Sequence, residues 1–198
     1  VNIARDYLAA AEDETPGRST REMVIRGLLA ADPVARRDAL STAVRSHGVS
    51  RSSATIVRAV SVGHDTSVVQ RASLGRALES VAKATLMFMG EIGSALLFLE
   101  RSSENTRIDD LITAEAARAG VPLRAIGSAH LAKTDIDVRP VAERAVATAA
   151  VAELLPDLGM SLRAEDVGPW LLIADVVSDP NRLQWYSPAA YTLIHDAD

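Results

Sequence analysis

Residues 85–100, TLMFMGEIGSALLFLE, contain two apolar runs of strand length interrupted only by Gly90, Glu91 and Gly93. A strand with one wet face alternates polar and apolar residues, so these unbroken runs predict a β-hairpin inside a sheet covered on both faces. Glycine adopts positive φ without steric cost, which places the turn at Gly90, Glu91 and Gly93. Residues 53–62, SATIVRAVSV, are β-branched and apolar and end at Gly63, and residues 123–129, LRAIGSA, form a third apolar run; both are expected strands. Between these strands the period changes to 3.6. Val68, Val69, Ala72, Leu78, Val81 and Ala82 mark a helix over 66–83, with Gly75 as its weak point, and Ile108, Leu111, Ile112 and Ala116 mark another. Asn105 or Thr106 is the expected cap of the second helix, and Gly120 and Pro122 end it. The resulting order is strand-helix-strand-strand-helix-strand. An alanine-rich helix over 138–155 follows, capped by Asp137 and stopped by Pro156 and Gly159, with small residues on both flanks for close packing.

The flanking segments are helical. Ile3, Tyr7, Leu8 and Ala11 have helical spacing, and residues 13–18, DETPGR, read as a polar break after a detachable first helix. Ser19 and Glu22 match a capping box for the next helix, and Asp32 before Pro33 starts a further one that should end near Gly48. Past residue 162, EDVGPWLLIADVV predicts a short helix from Pro169, and residues 180–198 read as helical pieces around Pro188. The expected class is α/β (α+β), a ferredoxin-like or nucleotide-cyclase palm with a βαββαβ core. The expected segments are 1–49 (helices), 50–162 (palm) and 163–198 (helical extension).

Bulk properties narrow the picture. A chain of 198 residues can bury a substantial core without staples. The absence of cysteine excludes disulfides and thiolate metal sites, and no stretch resembles a signal peptide or a spanning segment, so a cytoplasmic location is expected. The net charge of −5 is spread along the chain, which gives no basic footprint for nucleic acid. The first residue is Val1, as expected of a piece cut from a longer protein.

Several segments together resemble a known family, the bacterial transcriptional regulators of the PucR and CdaR type, in the degenerate GGDEF-like domain preceding their C-terminal helix-turn-helix. REMVIRGLLAADPVARRDAL, with Leu28 and Leu29 ahead of Asp32, is similar to the family's opening helices. LMFMGEIGSALLFLE stands in the place of the GGDEF hairpin, and LRAIGSA resembles the strand ending in a Gly-Ser or Gly-Ala pair. VAERAVATAAVAELL resembles the alanine-spaced helix, and AEDVGPWLLI the acidic, Gly, Leu-Leu signature that follows it. The likeness covers residues from Ser19 onward. It implies a signal-sensing regulator that dimerises and contacts DNA only through a helix-turn-helix, which does not occur before Asp198.

An active cyclase of this fold needs carboxylates for two Mg²⁺ ions, one from the first strand and others from the hairpin tip. SATIVRAVSV has none, Asp65 lies beyond its end, and the hairpin offers Glu91 alone, with Met89 and Ile92 or Gly93 where other groups would be needed. The expectation is therefore no enzyme, no metal, no cofactor and no catalytic residue, with Gly90, Glu91 and Gly93 a degenerate tip. His47, His64, His130 and His195 have no partner at ligand or triad spacing. Ser128 lacks the glycines of a nucleophile elbow, since Ile126 and His130 flank it at two residues. Asp109 and Asp110 suit a helix N-terminus electrostatically. Arg36 and Arg37 could contact an anion or line an exposed helix face, and Trp170, Trp185, Tyr186 and Tyr191 are expected in core or interface packing rather than a ligand cage. The functional expectation is a non-catalytic regulatory and dimerisation module coupling a sensor to a DNA-binding segment. The alternative is a domain that senses a small molecule or nucleotide in the palm cleft.

Overall fold

The structure is a computed structural model, and it describes residues 15–46, 49, 55–82, 85–101 and 107–178. It is an α+β protein built on a five-stranded mixed sheet. The elements are α1 (Thr15–Leu28), α2 (Pro33–Ser46), β1 (Thr55–Val62), α3 (Val68–Val81), β2 (Leu86–Ile92), β3 (Ala95–Arg101), α4 (Ile108–Arg118), β4 (Leu123–His130), α5 (Arg139–Leu154), a 3-10 turn (Pro156–Leu158), β5 (Ser161–Arg163) and α6 (Gly168–Ser178). The strand order is β2-β3-β1-β4-β5. β2 with β3, β3 with β1, and β1 with β4 are antiparallel, whereas β5 joins β4 in parallel after the α5 crossover. The first four strands and the helices between them are compatible with a palm-like α+β fold.

Both faces of the sheet are covered, as the unbroken apolar runs require. On one face α1, α2 and α5 pack Leu28, Leu40, Val141 and Ala145 against Val57, Leu97, Leu99 and Ala129. On the other, α3 and α4 pack Leu74, Leu78 and Ile112 against Val60, Phe98 and Ile126. The N-terminal helices therefore share the core of the sheet, and the expected boundary at 49/50 separates no second core. The boundary at 162/163 falls inside β5, and α6 lies on α5 through Val151, Val167 and Leu171.

Local signals explain most starts and stops. Asp32 accepts hydrogen bonds from the N–H groups of Val34 (3.0 Å) and Ala35 (3.3 Å), which caps α2 where Pro33 loses nothing. α3 opens at Ser67, one residue past the expected Thr66, through a capping box with Gln70. α1 corrects the expectation of a break at residues 13–18. It already runs at Thr15, so Ser19 lies within the helix, and Pro16 near the start is compatible with helix because its missing N–H has no partner to lose there. The hairpin turn is also corrected: Gly93 (φ 59°) and Ser94 make it, while Gly90 (φ 139°) sits at a bulge in β2 and Glu91 is a strand residue paired with Leu96. β5, three residues long, was not expected. The predicted first helix, the tail helices, Asn105 and Thr106 and the end near Gly48 lie outside the described residues. Among the described residues no helix is long and apolar enough to cross a membrane.

Candidate functional site

Alternation along β2 turns Glu91 toward the α3 face, with its neighbour Leu96, whereas Ser61 at the end of β1 pairs with Ala95 and belongs to the α5 face. The Glu91 carboxylate accepts from Arg71 Nε on α3 at 2.9 Å, and Arg71 is held in turn by the Thr66 carbonyl at 2.6 Å. Ser61 Oγ donates to Glu153 on α5, whose second oxygen accepts from Arg124 Nε at 3.0 Å. Glu91 and Glu153 thus lie on opposite faces, and each has a cationic partner. Beside the turn, on the α5 face, is a cleft of about 500 Å³ bordered by Ser61, His64, Gly93, Ser94, Arg124 and Glu153.

A second constellation lies on the other face. Arg58, buried at the centre of β1, donates through Nε to Glu100 Oε2 on β3 at 2.8 Å and through Nη2 to the same oxygen at 2.6 Å. Its Nη1 is bonded to Asp109 in the first turn of α4, and the other Asp109 oxygen accepts from Ser161 Oγ on β5 at 2.7 Å. A guanidinium this deep is tolerable only when paired and hydrogen-bonded, and two carboxylates supply that. Ser128, also buried, donates to the Leu162 carbonyl at 3.2 Å, which occupies its hydroxyl in fixing β4 to the strand beside it. Arg58, Asp109, Ser128, Ser161 and Leu162 border a cavity of about 490 Å³ between the start of α4, β4, β5 and the turn after β5. Convergent polar groups beside apolar side chains in a recess of this size are compatible with a small-molecule site.

Arg36 forms a forked bond to Asp137, with Nε to the two oxygens at 2.9 and 2.8 Å and Nη2 at 2.7 Å, so it staples α2 to the loop before α5; Arg37 is exposed. Burial pushes the Asp137 carboxyl up, but bonds from Arg36 and from the Arg139 N–H outweigh it and hold the group below its ordinary range. Asp137 thus caps α5 from one position further out than expected. His64 is exposed, His130 is half-buried with Nδ1 lacking a hydrogen-bond partner, and His47 and His195 lie outside the described residues. Asp110 is exposed and pairs with Arg107 at 3.7 Å. Trp170 is 42% exposed on α6, not a core residue, whereas Trp185, Tyr186 and Tyr191 lie outside the described residues. Among the described residues no group of three or more His, Asp or Glu side chains could hold a metal ion. Asp109 does more than complement a helix end, since it joins β1, α4 and β5. The one sequence sign of this network is a charge inside an apolar strand, Arg58 in TIVRAVSV, which demands a buried counter-ion.

Comparison with protein-family models, with curated proteins and with solved structures finds no match for this chain.

Proposed function

We propose that this chain is a non-catalytic regulatory module of the PucR and CdaR type, which dimerises and transmits a signal to a DNA-binding segment through packing rather than chemistry. The observation that carries this reading is the disposition of Glu91. Nucleotidyl transfer on a palm needs carboxylates converging on one point beside the hairpin, and Glu91 is instead neutralised by Arg71 on the face away from Ser61. Exposed apolar side chains occur between the 3-10 turn and α6, at Leu158, Met160, Trp170, Leu172 and Ile173, and support a role in subunit packing. The test is sedimentation of the purified chain at micromolar concentrations, together with incubation in Mg²⁺ and GTP or ATP. A dimer with no nucleotide conversion is expected; a monomer throughout, or steady turnover, overturns the proposal.

A second reading, small-molecule or nucleotide sensing in the palm cleft, is favoured by the roughly 500 Å³ recess beside Gly93. Nucleotides that occupy it should raise the melting temperature in a concentration-dependent manner, and an Arg124→Ala variant should lose the shift.

A further inference from the structure

The cavity over β4 and β5 has a charge pattern that the hairpin cleft lacks. Arg58 is already satisfied by Glu100 and Asp109, so two carboxylates face one guanidinium, and the Asp109 side chain remains 45% exposed. Two further lining residues, Arg163 at the end of β5 and Asp166 in the following turn, make no ion pair among the described residues. Ile56, Leu158 and Val167 supply apolar wall. Among the described residues the recess therefore offers one cation without an ion-pair partner, Arg163, two carboxylates, Asp109 and Asp166, and an apolar wall. An inorganic anion would meet Asp109 and Asp166 as well as Arg163, and a purely apolar molecule would strip water from all three. A molecule carrying both an ammonium and a carboxylate on an apolar body satisfies every group.

We propose that this cavity binds a small zwitterion, an α-amino acid with an apolar side chain or a dipeptide of such residues, with its carboxylate on Arg163 and its ammonium toward Asp109 and Asp166. The volume, about 490 Å³, accommodates a ligand of that class with its hydration reduced. Binding would also have a mechanical effect. Ser161 already ties β5 to Asp109 on α4, and a ligand spanning Asp109 and Arg163 adds a second link between α4 and the strand that leads into α6. The signal would pass to the C-terminal side of the chain by fixing β5. The site stands on its own geometry; only this last consequence depends on the chain being a regulatory module.

The test is titration calorimetry of the whole chain with leucine, phenylalanine and their homo-dipeptides, alongside propylamine and acetate as half-ligands. At least one zwitterion should bind saturably, and each half-ligand should bind at least about tenfold more weakly, since a factor of ten is the worth of one good charged contact. Arg163→Ala and Asp166→Asn, both at exposed positions and expected to fold, should each weaken binding by about tenfold or more, whereas Arg124→Ala in the hairpin cleft should not. Amide shifts at Ser161 and Arg163 should follow the same isotherm in NMR. No binding by any zwitterion up to about 10 mM, corresponding to less than about 3 kcal/mol, overturns the proposal. So does acetate or propylamine binding as tightly as the amino acids, or binding indifferent to both variants. None of these outcomes bears on dimerisation or nucleotide turnover, so the site and the regulatory reading fail separately.

Discussion

At Asp137 a single carboxylate holds α2, a loop and the start of α5 together. Its contacts favour the ionised form, so its folded pKa lies below the unfolded value near 4. The sign follows from linkage: a depressed carboxyl contributes stability that is complete above the unfolded pKa and is lost as pH falls through the folded one. Asp137→Asn should therefore lower the urea midpoint most at neutral pH, and the gap from the parent chain should close as pH is taken below about 4. A constant gap across that range would mean that the ion pair contributes nothing. The acidic residue was legible in the sequence as a helix cap, but its pairing with Arg36 was not, because the partners are 101 positions apart and no local pattern joins them. The same holds for Arg58, whose partners Glu100 and Asp109 are 42 and 51 positions away. A charge in an apolar strand reveals that a counter-ion exists, not which one it is.

Elements were readable where a period or a cap runs for several residues, as in the hairpin, the βαββαβ order and the Asp32-Pro33 start. They were not where the signal is shorter than the period. β5 spans Ser161–Arg163, too few residues to alternate, and it forms because the α5 crossover delivers it beside β4. The hairpin turn was misplaced because three nearby polar or glycine positions suit a turn equally well from sequence. Backbone pairing resolves them, putting Gly90 at the bulge and Gly93 in the turn. The most demanding contact between elements is that of α5 with β4. A Cβ on Gly127 would stand 2.1 Å from the Ala145 carbonyl oxygen and 2.3 Å from the Ala149 nitrogen, backbone atoms that cannot turn aside. Gly127→Ala should thus cost about 3 kcal/mol or more in chemical denaturation as α5 is pushed off the sheet. Gly168→Ala, where a Cβ meets nothing within 4 Å, should be neutral or stabilising by less than about 1 kcal/mol. Equal effects at the two sites would show that α5 does not sit this close.

On the scale of the molecule, a sheet covered on both faces still has two edges. The β2 edge is guarded. Glu79 on α3 accepts from the Phe88 N–H at 3.4 Å and from Arg21 on α1 at 2.8 Å, so an ion pair joins helices on opposite faces beside β2, and the Gly90 bulge breaks the strand's regularity. A half-exposed pair like this adds little to stability. Its value lies in occupying a backbone donor that another chain could pair with. Glu79→Ala should accordingly leave the thermal midpoint within a few degrees of the parent while producing species larger than the parent assembly at high concentration in light scattering; an unchanged size distribution would assign the pair no such role.

The opposite edge is of another kind. β5 adds three backbone positions to a sheet whose other strands are mutually paired without it, and it does so in the parallel sense, after the longest helix described. The described segment 156–178 can consequently open while the remaining four strands keep their pairing, at a free energy smaller than that of the whole. The four antiparallel strands thus hold one another, whereas among the described strands β5 is held by β4 alone.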